Sequence, residues 1–341
     1  MWSPDEYLSQ LYVTNDLLRE EAVGGQCWRE RKENVKRSLL DALGRLPEGS
    51  ASLSPVLLER TEREDCYVER IAFATAEHLR LPAYVLIPKQ LQDKAPAVIA
   101  WHGHGYGSKE IVGLQPDGTE DAGEPGIHKH FALELVRKGM IVIAPEIIGF
   151  GDRRLAADRA KDPRKASSCF ALSSRLLLYG QTLAGLRIFE ATRVVDYLIS
   201  REEVDPERIG CMGFSGGGLI ASLSAALDAR IKAVVLCAFT STFRGSLLAM
   251  NHCIDNYLPS ILKHADLPEL IGLIAPRPLF VESGLEDTLF PAASVQDALM
   301  QLERIYREEG AVDRLTADIF PGKHEISGRK SYDWLAQRLR A

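Results

Sequence analysis

The sequence has no excess of positive charge: 41 Lys and Arg stand against 47 Asp and Glu, a formal net charge of −6 over 341 residues. A mildly acidic chain has no electrostatic pull toward nucleic acid or an anionic membrane surface, so neither is expected as a partner. No stretch approaches the roughly 18 uninterrupted apolar residues that a membrane-spanning helix requires. The opening MWSPDEYLSQ lacks a basic segment followed by an apolar one and does not read as a secretory signal. Cysteine is sparse: Cys27, Cys66, Cys169, Cys211, Cys237 and Cys253 include no C-x-x-C pair. They read as small core hydrophobes, neither zinc ligands nor a disulfide framework, and the expected location is the reducing cytoplasm. No internal repeat or low-complexity tract is present. Gly103/Gly105/Gly107 and Gly149/Gly151 complete neither a dinucleotide fingerprint nor a Walker loop, and Gly322-Lys323 is followed by His324 instead of Ser or Thr. No cofactor is expected.

What the chain does have is apolar material, 46% of its residues, ample for a large core. Residues 4–46 carry helical spacing, with Val35, Leu39, Leu40, Leu43 and Leu46 on one stripe and Pro47-Glu48-Gly49-Ser50 as a stop. This predicts a helical extension over about 1–50, packed on a main body over 51–341. From residue 66 the pattern changes to short apolar runs. Cys66–Thr75 and Leu79–Ile87 alternate around a polar turn, as an antiparallel entry pair would. Ala97–Trp101, Met140–Pro145, Arg208–Gly213, Ala233–Ala238, Pro278–Ser283 and Leu315–Phe320 follow, mostly continuous as in strands buried on both faces. Helical candidates lie between them at His128–Lys138, Thr182–Ser200, Gly217–Leu227, Ala292–Glu309 and Ser331–Leu339. The predicted fold class is α/β, a mostly parallel eight-stranded sheet flanked by helices. Two long connections, 149–180 and 239–275, read as insertions that serve as lids or binding loops. The basic part of the first reads equally well as a solvated surface excursion.

The strongest local signal is Gly213-Phe214-Ser215-Gly216-Gly217, with a strand-like run before it and a good helix after it. This strand, G-x-S-x-G turn and helix together resemble the nucleophile elbow of the α/β-hydrolases, which makes Ser215 the candidate nucleophile. Glycines suit such a turn sterically, because side chains on either side of the serine would meet the neighbouring strand and helix. A serine hydroxyl needs a base, and imidazole is the side chain suited to that near neutral pH. Of eight histidines, His324 lies in a loop between the last strand and the last helix, where the order Ser, acid, His of that fold places the base. His78, His252 and His264 read as surface or packing residues. His128 and His130 open a helix and could line a wall, though the plainer reading puts them on the helix surface.

The acid is expected in Gly284-Leu-Glu-Asp-Thr-Leu-Phe-Pro291, beyond the end of a strand; Asp287 is preferred over its neighbour Glu286 and over Glu282 inside the strand. For an oxyanion the candidate donors are the N–H groups of Gly216 and of His104, the latter from His102-Gly-His-Gly-Tyr-Gly107. His102 and His104 could instead be read as an H-x-H zinc pair, but no matching cluster follows at metal spacing, so no metal is expected. Phe214, His102, Tyr106 and Glu146 are candidate pocket residues, Glu146 more as a structural anchor than as a wall.

Taken together, Trp101–Gly105, Ala144–Gly151, Val204–Gly210, the Gly284–Pro291 turn and Gly322–Glu325 resemble the dienelactone hydrolase and acetyl xylan esterase-like branch of the α/β-hydrolase superfamily. The resemblance covers about residues 66–341. It implies cofactor-free hydrolysis of carboxylic esters through an acyl-enzyme, with a small acyl group such as acetyl on a sugar or related small molecule. Lactones and small amides are the alternatives on the same triad, and a non-catalytic relic of the fold is the alternative of another class. Some members of the branch oligomerise, which leaves self-association open. Ser215 stands where some dienelactone hydrolases carry cysteine, and Glu146 stands where relatives commonly have Asp.

Overall fold

The apolar runs pair into one sheet in the computed structural model, which describes residues 2–47, 51–91 and 93–340. Nine strands are laid in the order β1-β2-β3-β5-β4-β6-β7-β8-β9. They are β1 (Val56–Glu62), β2 (Cys66–Ala76), β3 (Leu79–Pro88), β4 (Ala95–Trp101), β5 (Ile141–Pro145), β6 (Val204–Phe214), β7 (Ile231–Cys237), β8 (Leu279–Gly284) and β9 (Leu315–Phe320). From β5 through β9 every neighbouring pair is parallel; β1, β2 and β3 join as antiparallel ribbons on one side. The sheet therefore has one strand more than the eight expected. The extra one, β1, is exposed along its whole length, so it has no apolar alternation to announce it.

The central strands are buried on both faces, as their unbroken apolar runs require. Helices cover both sides. In chain order these are α1 (Asp5–Val23), α2 (Trp28–Leu43), α3 (Ser108–Ile111), α4 (Phe131–Arg137), α5 (Cys169–Leu177), α6 (Leu183–Ile199), α7 (Gly216–Leu227) and α8 (Leu267–Gly272). α9 (Ala292–Glu308) and α10 (Ser331–Arg340) close the chain. Among the described residues no helix is long and apolar enough to cross a membrane.

The N-terminal helical stretch is two helices, broken at Gly24-Gly25, both with positive φ. α2 sends Trp28, Val35, Leu39 and Leu43 into the main core, each burial contributing about 1.5–3 kcal/mol. Leu40 is turned to solvent, off the predicted stripe. The helix stops at Leu43, before the predicted Leu46, because Gly44 has φ +80° and a Cβ there would sit 2.5 Å from the Gly180 carbonyl oxygen. Glu48, Gly49 and Ser50 of the predicted stop lie outside the described residues. α1 buries no residue at all.

Candidate active site

β6 delivers Ser215 into a turn that only this local sequence tolerates. The serine backbone has φ 53° and ψ −121°, a strained conformation for a non-glycine residue, costing about 1–3 kcal/mol. A Cβ on Gly213 would lie 2.2 Å from the Gly217 carbonyl oxygen, and one on Gly217 would lie 2.2 Å from that of Trp101. The glycines thus let α7 start directly against β4 and β6, with its first amides aimed at the serine.

Three candidate residues meet here. Ser215 Oγ lies 2.9 Å from His324 Nε2, and His324 Nδ1 lies 2.8 Å from Asp287 Oδ2. The second carboxylate oxygen of Asp287 accepts the N–H groups of Leu289 (2.8 Å) and Phe290 (3.0 Å), so the acid is held at both ends while buried. The imidazole of His324 lies between the rings of Phe214, 5.0 Å away, and Phe290, stacked at 5.8 Å. Glu286 points to solvent. Glu282 is buried and faces the other way. It accepts the N–H groups of Ser327 and Gly328 and the hydroxyl of Ser331, all downstream of His324.

A cavity of about 330 Å³ opens on Ser215, lined among others by His104, Phe214, Gly216, His252, Leu289 and His324. A larger one of about 690 Å³ lies between α1 and the second insertion and holds none of these groups. The N–H groups of Gly216 and His104 donate to no other group among the described residues. The His104 ring packs close to the Gly216 Cα, where an added Cβ would be 3.3 Å from Nδ1.

Other predicted pocket residues are placed elsewhere. His102 is buried behind the loop, its Nδ1–H donating to the Gly103 carbonyl (2.8 Å) and its Nε2 accepting the Ile147 N–H (3.2 Å). It therefore does not line the cavity and does not form a chelating pair with His104. Glu146 is fully buried, accepting the N–H (3.1 Å) and hydroxyl (2.9 Å) of Ser108, and anchors the loop in place of lining it. Tyr106 is also absent from the wall: its ring lies under the Arg164 guanidinium, 5.4 Å from the centroid, and burial pushes its phenol up to about 12.

Two histidines lie elsewhere than the sequence pattern suggests. His128 is wholly buried instead of on a helix surface; its Nε2 accepts the Gly103 N–H at 3.0 Å, and Nδ1 lies 2.9 Å from Glu110 Oε1. Desolvation holds its imidazole below the ordinary value, the Glu110 carboxylate opposing without prevailing. His252, expected at the surface or in packing, is half-buried in the cavity wall, with its Nε2 3.0 Å from Ser246 Oγ. Desolvation lowers it too, and the neighbouring His324 adds to the shift.

The cysteines divide between core and site. Cys211 and Cys237 are core residues as expected, but Cys27 is exposed, and Cys169 and Cys253 come together beside His104 and Asp255. Arg187, buried on α6, pairs with Asp255, donates to Cys169 Sγ at 3.2 Å and donates to the Ile148 carbonyl at 2.9 Å. The Cys169 thiol is held well below the ordinary thiol range, first by the hydrogen bond from Cys253 and then by the Arg187 charge, against desolvation. In the first insertion Arg159, Lys161, Arg164 and Lys165 are exposed, as a solvated excursion would have them, while Arg153 and Arg154 turn inward. Arg153 makes a buried two-point pair with Glu190 (2.6 and 2.7 Å), and Arg154 caps three carbonyls.

Known proteins share this architecture. The model of the Abhydrolase family matches residues 18–296. YtaP of Bacillus subtilis (strain 168), a hydrolase by name, is 34% identical over 288 residues, 82% of this chain and 89% of YtaP. A Bacteroides fragilis NCTC 9343 protein described as an acetyl xylan esterase (BF1801) superposes with a TM-score of 0.78, covering 92% of this chain and 88% of that one at 18% identity. Glucuronoyl esterase from Solibacter usitatus gives a TM-score of 0.65 over 91% and 92% of the two chains at 16% identity. At those identities the two structures establish the shared fold. The family match reaches further, through the turn that bears Ser215 and the loop that bears Asp287, and with YtaP at 34% identity over most of both chains it places the chain in the Abhydrolase family.

Proposed function

We propose that the protein is a serine carboxylic ester hydrolase, with Ser215 as nucleophile, His324 as general base and Asp287 as the supporting acid. The observation that carries this reading is the unbroken relay from Ser215 Oγ through His324 to Asp287 Oδ2, at 2.9 and 2.8 Å, opening on a cavity. His324 Nε2 takes the Ser215 proton as Oγ attacks the ester carbonyl carbon. The tetrahedral oxyanion is held by the N–H groups of Gly216 and His104. Collapse expels the alcohol, protonated by His324, and leaves an acyl-serine. Water, deprotonated by His324, then releases the acid and restores the hydroxyl. Asp287 keeps the proton on Nδ1, so that Nε2 stays free to accept.

A cavity of about 330 Å³ favours a small acyl group. Acetyl on a sugar or related alcohol is the preferred substrate class, supported by the esterase descriptions of BF1801 and the Solibacter usitatus protein. Residues 51–341 would form the catalytic unit, with 1–50 as its extension. Six unpaired cysteines favour a reducing compartment.

The test is fluorophosphonate labelling together with turnover of p-nitrophenyl acetate, longer acyl esters, a lactone and an anilide. Labelling at Ser215 is expected, and Ser215→Ala should lower kcat by about 10⁶-fold. Equal hydrolysis by both proteins would end the reading; a preference for lactone or anilide would move it to those substrates. A folded wild type that neither labels nor turns over any substrate would place the chain among non-catalytic members of the fold.

A further inference from the structure

Three distant segments meet at four ligating side chains. His104 comes from the loop after β4, Cys169 opens α5 in the first insertion, and Cys253 and Asp255 lie in or beside the short helix Ile254–Asn256 of the second. One donor atom from each lies within 4.8 Å of every other. A tetrahedral zinc, with bonds of about 2.0–2.3 Å, sets its donors roughly 3.3–3.8 Å apart, within reach of small side-chain rotations. Two sulfurs, one imidazole nitrogen and one carboxylate oxygen suit a borderline-soft divalent ion and not magnesium or calcium.

The surroundings favour a cation as well. Arg187 is buried and bonds both Asp255 and Cys169, so it orients two of the four ligands from behind, as outer partners of metal sites do. In the metal-bound state two thiolates and a carboxylate stand against one guanidinium, a net double negative charge that a divalent ion cancels.

We propose that His104, Cys169, Cys253 and Asp255 form a structural binding site for zinc or a similar thiolate-preferring divalent metal. Four protein donors complete a tetrahedral shell, so the ion holds no open position for water and is not the hydrolytic agent. Binding releases thiol protons to solvent as the sulfurs become ligands. The ion ties both insertions to the loop after β4 and fixes Cys253 and His104 at the rim of the Ser215 cavity. That last consequence rests on the ester-hydrolase reading; metal binding itself does not.

The experiment is cobalt titration of the reduced full-length protein, with zinc content measured on separate samples by mass spectrometry of the metal. Expected are one equivalent of zinc per chain and, with cobalt, an intense thiolate-to-metal charge-transfer band. Cys253→Ser should lose the band and the retained zinc, whereas Cys66→Ser, outside the cluster, should keep both. If Cys253→Ser does not fold, the wild-type band decides, because its strength scales with the number of thiolate ligands: two support the site and none overturns it. Reduced wild type that takes up neither metal overturns the proposal, as does a Cys253→Ser that binds like wild type. So does a Cys169–Cys253 disulfide in protein that refuses metal after reduction. Loss of esterase activity with metal binding intact would count against the ester-hydrolase reading alone.

Discussion

Glu282 reaches Gly328 with both of its carboxylate oxygens, at 3.2 and 3.1 Å, from the end of β8 to the segment just past His324. The carboxylate is buried and also takes the Ser327 N–H and the Ser331 hydroxyl, at 2.9 and 2.8 Å. One side chain therefore gathers the chain between the base and α10, and through it the loop on which His324 is presented. It touches no reacting atom and acts as a positioning residue.

Glu282→Ala leaves two buried donors, the Gly328 N–H and the Ser331 hydroxyl, and the part-buried Ser327 N–H without an acceptor; each buried one costs about 1–3 kcal/mol of desolvation, so a clear fall in melting temperature is expected. On an ester substrate kcat should fall more than KM rises, because His324 is displaced while the rest of the cavity wall keeps its place. Glu282→Gln keeps one acceptor oxygen and should recover part of both. Calorimetry and steady-state kinetics on the two variants check this; an Ala variant with wild-type kcat contradicts the positioning role.

Asp287 and Glu286 are neighbours with opposite surroundings, one buried against His324 and the other in solvent. Asp287→Asn can still take the Leu289 and Phe290 amides at one oxygen but presents an amide group to Nδ1. It should lower kcat by about 10⁴-fold, as a wrong imidazole tautomer does elsewhere. Glu286→Gln should stay within twofold of wild type, about 0.4 kcal/mol. Kinetics on the pair settle which carboxylate serves the histidine.

His128 gives a signature in stability against pH. Its folded pKa lies below the ordinary imidazole value of about 6.5, chiefly through desolvation. The unfolded chain then binds more protons in the window below that value, so this contribution is present above it and is lost as pH falls toward the folded pKa. His128→Gln keeps an acceptor for the Gly103 N–H and removes the titration. The slope of melting temperature against pH below about 6.5 should become shallower, with His252 supplying a remaining share in the same direction. An unchanged slope would refute a buried, neutral His128.

Much of this architecture is legible in the chain because it rests on local rules. The parallel strands are continuous apolar runs, and the Gly213–Gly217 turn carries its steric requirement in its own residues. Asp287 could be preferred over Glu286 because the turn itself puts it beyond the strand. What escaped depends on tertiary distance. His102, Tyr106 and Glu146 share the glycine-rich sheet edge with His104, yet their side chains turn behind the loop, a choice set by partners such as Ser108 and Arg164. The gathering of His104, Cys169, Cys253 and Asp255 has no spacing motif, because the four come from three segments. His128 read as surface because nothing local told of Glu110 and Gly103 closing over it.

The strand that the sequence did not announce governs how the sheet ends. Among the described residues β1 pairs on one side only, with β2, and its other side carries ladder donors and acceptors open to a further chain. Glu59, Arg60 and Glu62 stand along it, and its register slips between Leu57 and Glu59, a local bulge that twists the backbone. Charge and twist together oppose edge-to-edge growth into larger assemblies, so the molecule leaves this border uncovered yet guarded against aggregation.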